Sequence, residues 1–122
     1  MTKINLERFN VAGVQYGDYQ RLGKHLKVGS VCRFVGEPSN KYDSKAIRIE
    51  VVGVKIGYVP KGSELQKQLW EAHNDSNKVT GVVTAVNLTN PTWQMITVEA
   101  TVHQRQVVMK KDGGVYFDKV RN

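Results

Sequence analysis

Residues 96–103 read Ile96-Thr97-Val98-Glu99-Ala100-Thr101-Val102-His103, with Ile96, Val98, Ala100 and Val102 on one side of an extended chain and Thr97, Glu99, Thr101 and His103 on the other. A period of two belongs to a β-strand, and an apolar side backed by a polar one belongs to a sheet buried on one face. The alternation predicts a long strand over 93–103, joined across Asn90-Pro91 to a companion over 78–88.

The pattern continues towards the N-terminus. Ile47, Ile49 and Val51 alternate with Arg48 and Glu50, and Gly53 turns this strand (46–52) into a second one over 54–58, which predicts a hairpin. Residues 31–35 and 9–16 read as two further strands. Leu22 and Leu26 stand four apart, the spacing of one face of a short helix that Gly29 stops. Ser63 and Gln66 have the spacing of a capping box, and Leu65, Leu69, Trp70 and His73 follow at helical intervals, predicting a helix over 63–73. Residues 37–43 are too rich in turn formers to be anything but an ordered loop. Near the C-terminus, Val107-Val108-Met109 reads as a last strand, followed by a turn over 110–114 and a frayed basic end. Six or seven short strands with two helices and no strand–helix–strand repeats describe a mostly β protein, a small closed or half-closed barrel. We read residues 1–122 as a single domain.

The chain has 122 residues and a formal charge of +7, from 18 Lys plus Arg against 11 Asp plus Glu. Such an excess favours an anionic partner. It is unevenly placed: residues 1–61 hold 11 basic and 5 acidic side chains, and residues 62–122 hold 7 and 6. The one cysteine, Cys32, lies among Val31, Phe34 and Val35 and reads as a small buried hydrophobe. No apolar run approaches the length of a membrane-spanning helix, so a soluble cytoplasmic protein with no membrane partner is expected.

Several chemistries lack their residues. There is no phosphate-binding Gly-rich loop and no dinucleotide fingerprint. His25, His73 and His103 are far apart without ligand-spaced partners, so no metal site is expected and no cofactor is implied. His73 reads as a helix-end residue and His103 as an exposed strand residue. A metal-dependent nuclease would need converging carboxylates; Glu37, Asp43 and Glu50 are the candidates in the basic half, with Glu37 and Glu50 read as solvated surface groups. An enzyme is not expected.

The informative residues are three tyrosines on three segments of the basic half, Tyr16, Tyr42 and Tyr58, accompanied by Lys41, Lys45 and Lys61. Aromatic faces interleaved with cations suit single-stranded nucleic acid, whose bases stack and whose phosphates need neutralising. The same spacing also fits core or rim tyrosines of a small barrel. Three segments, Phe9-Asn10-Val11-Ala12-Gly13-Val14-Gln15-Tyr16, Glu37-Pro38-Ser39-Asn40-Lys41-Tyr42-Asp43-Ser44-Lys45-Ala46-Ile47 and Ile56-Gly57-Tyr58-Val59-Pro60, resemble in order and spacing the signature segments of the HIRAN domain. The resemblance is clearest over 9–73, with 78–122 expected to complete the barrel.

It implies an OB-like barrel with two helices and a ligand that is the 3′ end of single-stranded DNA. Carried over, Tyr16 and Tyr42 would stack on the last nucleotides, Asp43 would accept the 3′-hydroxyl, Asn40 would hold its loop and contact the end, and Lys61 would meet a phosphate. Gln15 stands where the DNA-binding helicase version has Arg, Ser39 where it has Asn, Lys41 where it has Pro, and Tyr58 where it has His; Gln15 and Lys41 would share the phosphate contact. A carboxylate repels phosphate but accepts a hydroxyl, so Asp43 would favour a free 3′-OH. Its alternative role is an Asx turn. The competing reading of the whole chain is a protein-interaction module that keeps the barrel and binds a host, replication or DNA-processing protein, which the replacement by Gln15 favours. A monomer is expected, with edge-strand pairing through the Val- and Thr-rich 78–122 half as the alternative.

Overall fold

The alternating segment forms one of the two longest strands of an antiparallel sheet. The computed structural model describes residues 2–75 and 77–104, together with the backbone of 107–109 and 115–117. In chain order the elements are β1 (Thr2–Asn5), β2 (Phe9–Asn10), β3 (Val31–Gly36), β4 (Ile47–Val51), β5 (Val54–Tyr58), α1 (Glu64–Asn74), β6 (Lys78–Val86), β7 (Ile96–Gln104), β8 (Val107–Met109) and β9 (Val115–Phe117). The main sheet runs β1-β7-β6-β3-β4-β5, with β2 also paired to β7, and β8 and β9 form a separate pair. Ile96, Val98, Ala100 and Val102 are all buried, as their alternation requires. No helix among the described residues is long and apolar enough to cross a membrane.

The fold is mostly β and OB-like, but among the described residues no continuous ladder closes the sheet. After β2, the chain leaves β7 at Val11, whose N–H donates to the Ile96 carbonyl, and crosses to β5. There Ala12 and Tyr58 exchange two backbone hydrogen bonds of 2.8 Å each. This bridge spans the opening between the two ends of the sheet. Beneath it lies the core, in which Val11, Val14, Ile49, Val51, Ile56, Val59, Val83, Ile96 and Val98 are almost wholly buried.

The bridge explains why the strand expected over 9–16 is cut short. Gly13 takes a left-handed φ of 64°, which ends the extended run, and Val14–Tyr16 coil into a 3₁₀ turn that buries Val14 and lifts Tyr16 outwards. The helix expected around Leu22 and Leu26 is a 3₁₀ stretch, Tyr19–His25, broken at Gly23, with both leucines buried. The strand expected over 78–88 ends at Val86, and that over 93–103 starts only at Ile96, because Thr92–Gln94 form a third 3₁₀ turn. β1 and β9 were not foreseen. The turn expected over 110–114 and the basic end lie outside the described residues.

The helix is as expected: Ser63 caps it by accepting the Gln66 N–H, and Leu65, Leu69 and Ala72 face inwards. Cys32 is buried and its thiol is pushed up to about 12 by desolvation, which makes it an inert core residue. His73 is an exposed helix-end residue. His103 is half-buried, contrary to the exposed position expected, because its ring bonds to the Thr80 hydroxyl across the β6–β7 pair.

Two backbone positions give measurable expectations. Gly57 has φ +151°, and a Cβ there would stand 2.4 Å from the Ala12 carbonyl oxygen and 2.5 Å from Val11 Cγ1. Gly57→Ala is therefore expected to force the bridge apart and destabilise by about 1–3 kcal/mol, read as a lower melting temperature. Val52, exposed in the hairpin turn between β4 and β5, holds φ 49°, and Gly53 follows at φ 75°. Left-handed backbone at both central positions is type I′ geometry, which favours Asn at the first and penalises a β-branched side chain. Val52→Asn is expected to stabilise by about 1 kcal/mol; an unchanged or lower melting temperature would contradict this.

Candidate nucleic-acid interface

Where the bridge ties residues 11–13 to the end of β5, a groove of about 610 Å³ opens to solvent. Ala12, Gly13 and Tyr16 line one side, Asn40, Tyr42, Asp43 and Ala46 another, and Lys55, Tyr58, Val59 and Lys61 the remainder. Tyr16, Asn40, Tyr42, Asp43, Tyr58 and Lys61, singled out from the sequence, are thus brought together from three separate segments. Gln15 and Lys41 are not among the lining residues; both are exposed beside it. Tyr16 is 76% and Tyr42 87% exposed, so neither is a core residue, and the groove is flanked by two free aromatic rings.

The loop between β3 and β4 is rigidly tied. Asn40 accepts the backbone N–H groups of Tyr42 (2.9 Å) and Asp43 (3.0 Å) on its side-chain oxygen, and its amide donates to Glu37 (2.9 Å). Asp43 accepts the Lys45 N–H on Oδ1 (2.9 Å), the Asx turn, and the Gln66 side-chain amide on Oδ2 (2.7 Å). Lys61 donates from Nζ to the Tyr42 carbonyl at 3.0 Å, and an ammonium has two further donors. The Trp70 indole N–H donates to the Lys45 carbonyl, and the Lys45 ammonium lies 5.2 Å from the Trp70 ring centre.

Tyr58 is held from both ends. The Lys55 ammonium sits 5.1 Å from its ring centre, and its hydroxyl donates to Glu37 Oε1 at 3.0 Å. Burial, then the hydrogen bond and negative charge of Glu37, push the Tyr58 pKa up, so the hydroxyl stays a donor at neutral pH. Glu37 also pairs with Arg48 at 2.8 Å, and Arg48 in turn pairs with Glu50 at 2.8 Å. Burial acts to raise the Glu37 pKa, but hydrogen bonds from Asn40, Tyr58 and Arg48 and the charge of Arg48 outweigh it and hold the carboxyl below its usual range. The expectation of Glu37 and Glu50 as solvated surface carboxylates is corrected: their side chains are only 19% and 13% exposed, and one guanidinium bridges them. Among the described residues no three His, Cys, Asp or Glu side chains cluster as metal ligands would.

Aromatic flanks with lysines between them accommodate flat bases and a phosphate backbone, and a carboxylate in the lining accepts a hydroxyl. The sequence model of the HIRAN domain matches residues 4–104. The chain belongs to the HIRAN domain family. HIRAN domains are nucleic-acid-binding modules, and the match reaches well beyond the 9–73 over which the signature segments lie, from within β1 to the end of β7. The groove, α1 and the β6–β7 pair all fall inside it, and β8 and β9 outside. A solved structure of a protein from Lactobacillus plantarum superimposes with a TM-score of 0.66 at 20% identity, covering 83% of this chain and 95% of that one. The HIRAN domain of human HLTF superimposes with a TM-score of 0.59 at 24% identity, covering 80% of this chain and 74% of that one. At these identities the two similarities speak for the HIRAN fold alone. No curated protein matches the sequence.

Four residues of this HIRAN domain's groove region were not found by sequence reasoning. Lys55 was hidden in an ordinary strand, and Glu37 looked solvated because a turn proline follows it. Gln66 was recognised only as a helix-capping residue. Trp93, 66% exposed, lies on the 3₁₀ turn that packs beside Val14–Tyr16, and only the fold places those two turns together.

The Glu37 shift has a pH signature. A carboxyl whose folded pKa is depressed adds stability above its unfolded value of about 4.3 and loses it as pH falls through the folded value. Between about pH 5 and pH 3 the melting temperature is therefore expected to fall more steeply for the wild type than for Glu37→Gln. Parallel melting-temperature profiles would show that the Glu37 network adds no pH-dependent stability.

Proposed function

We propose that the groove binds single-stranded DNA at a free 3′-hydroxyl end, without catalysis. Tyr16 and Tyr42 stack on the terminal bases, and Tyr58, backed by Lys55, forms the aromatic floor. Lys61, Lys55 and the neighbouring Lys41 meet phosphates, Gln15 contributes a neutral donor beside them, and Asn40 and Asp43 present the end-recognising edge. Trp93 extends the stacking surface past Tyr16. The observation that carries the reading is the joining of two strongly exposed tyrosines, two lysines and one fixed carboxylate in a single groove of a HIRAN domain. The cellular setting proposed with it is the cytoplasm of a bacterial or phage-infected cell, where DNA ends arise in replication and repair, with the protein acting as a monomer.

Three residue-level arguments support it. Stacking does not require a particular base, so the affinity is sequence-tolerant. A carboxylate close to lysines disfavours a 3′-phosphate through like charge and accepts a hydroxyl. Arg48, paired with both Glu37 and Glu50, cancels one of their two negative charges beside the strand's path.

Fluorescence anisotropy with matched oligonucleotides ending in 3′-OH or 3′-phosphate tests the reading. The 3′-OH end is expected to bind at least about tenfold tighter, the scale of a charge-assisted hydrogen bond. Tyr16→Ala and Tyr42→Ala are each expected to weaken binding by roughly 5-fold or more, and the salt dependence to have a log–log slope of roughly −2 to −3. Equal affinity for both ends would remove end recognition and leave general strand binding. No detectable DNA binding at low salt would hand the groove to the protein-interaction reading, which Gln15 favours.

A further inference from the structure

Gln66 is the one polar side chain that is buried among the described residues, 6% exposed, and every hydrogen-bonding atom of its amide is committed. Its Oε1 accepts the Gly62 N–H (3.0 Å), while Nε2 donates both to Asp43 Oδ2 (2.7 Å) and to the Lys45 carbonyl (2.9 Å). Its own backbone N–H is held by the Ser63 hydroxyl (3.1 Å), and Ser63 is anchored in turn on the Pro60 carbonyl (2.7 Å). The first turn of α1 is thus locked to the loop that carries Tyr42 and Asp43. We propose that Gln66 is the positioning residue of the groove: by fixing the plane of the Asp43 carboxylate, it sets the selectivity between a strand's 3′-hydroxyl and other ends. This rests on the reading of the groove as a 3′-end site and adds to it the group that orients the recognising carboxylate.

The physical argument concerns torsion and lone pairs. A carboxylate turns about its last bond in a broad, roughly two-fold well, so the single Asx-turn contact with the Lys45 N–H leaves its plane loosely set. The second contact, to the opposite oxygen and from a side chain that cannot itself rotate, removes that freedom. Each carboxylate oxygen offers about two lone-pair sites. With one site on each oxygen taken by Lys45 and Gln66, the remaining ones point in fixed directions, and Asp43 lines the groove. A hydroxyl donor is directional and gains from such an acceptor. Stacking on Tyr16 and Tyr42 is insensitive to it. Gln66 should therefore act on end discrimination and not on strand affinity as such.

Gln66→Met tests this most narrowly, because it is of similar length and helix preference and removes the amide donor to Asp43 without adding a charge. Gln66→Leu, likewise uncharged and a good helix former, supplies the comparison if Gln66→Met does not fold. The readout is the ratio of affinities for 3′-OH and 3′-phosphate oligonucleotides, measured by anisotropy on proteins whose folding is checked by circular dichroism. In the wild type the ratio is expected to be about tenfold or more, falling to within about threefold in either variant, while affinity for the 3′-phosphate strand changes by less than about threefold. In an Asp43→Asn background, Gln66→Met is expected to change the ratio no further, since it acts through Asp43. A folded variant that keeps the wild-type ratio, or that weakens both ends equally, overturns the proposal while the end-site reading stands. A wild-type ratio near one overturns both.

Discussion

Two backbone hydrogen bonds between Ala12 and Tyr58 hold this molecule in its shape. The sheet has its N-terminal run along β7 at one end and β5 at the other, and among the described residues no ladder joins those ends. The bridge spans the gap because Gly57 lacks a Cβ and lets the Ala12 carbonyl approach closely. The same crossing buries Val11 and Val14 beneath it and leaves Ala12, Gly13 and Tyr16 lining one side of the groove. One close approach of two segments of the chain therefore settles both the half-closed form of the sheet and the existence of a groove at its opening.

Around that opening the polar groups are arranged so that few are left mobile. Asn40, Asp43, Gln66 and Ser63 fix the β3–β4 loop to α1, and Glu37, Tyr58, Arg48 and Glu50 form a second chain behind the floor. A half-buried carboxylate with no counter-charge would be costly. Arg48 partners both Glu37 and Glu50 with one guanidinium. The result is a groove whose walls are ordered before anything binds, while its two flanking tyrosines remain exposed. Preorganisation of this kind reduces the ordering cost of association.

Much of the architecture was legible in the sequence because it is local. Alternation placed β4 and β7, the Gly53 turn placed β5, the Ser63–Gln66 spacing placed α1, and Leu22 and Leu26 marked an inward face even though the turn proved to be 3₁₀. The misreadings share a cause. The strand expected over 9–16 has suitable residues throughout, but pairing decides a strand's length, and here the partner changes from β7 to β5 within four residues. β1 carries a weak local signal and is a strand because β7 offers it an edge. Glu37 and Glu50 read as surface groups because an ion pair formed across two strands leaves no trace in local spacing.

The sequence alone determined the periodicities, the concentration of charge in residues 1–61 and the identity of the three signature segments, since each is a property of neighbours along the chain. It could not distinguish exposed tyrosines from core tyrosines: exposure depends on what else packs over a ring, and only the folded chain leaves Tyr16 and Tyr42 uncovered while holding Tyr58 between Lys55 and Glu37. Nor could it show that Gln66, an ordinary capping residue by spacing, reaches Asp43 twenty-three positions away. That contact exists because α1 packs beside the β3–β4 loop, and a hydrogen bond between segments distant in sequence is decided by the packing that brings them together.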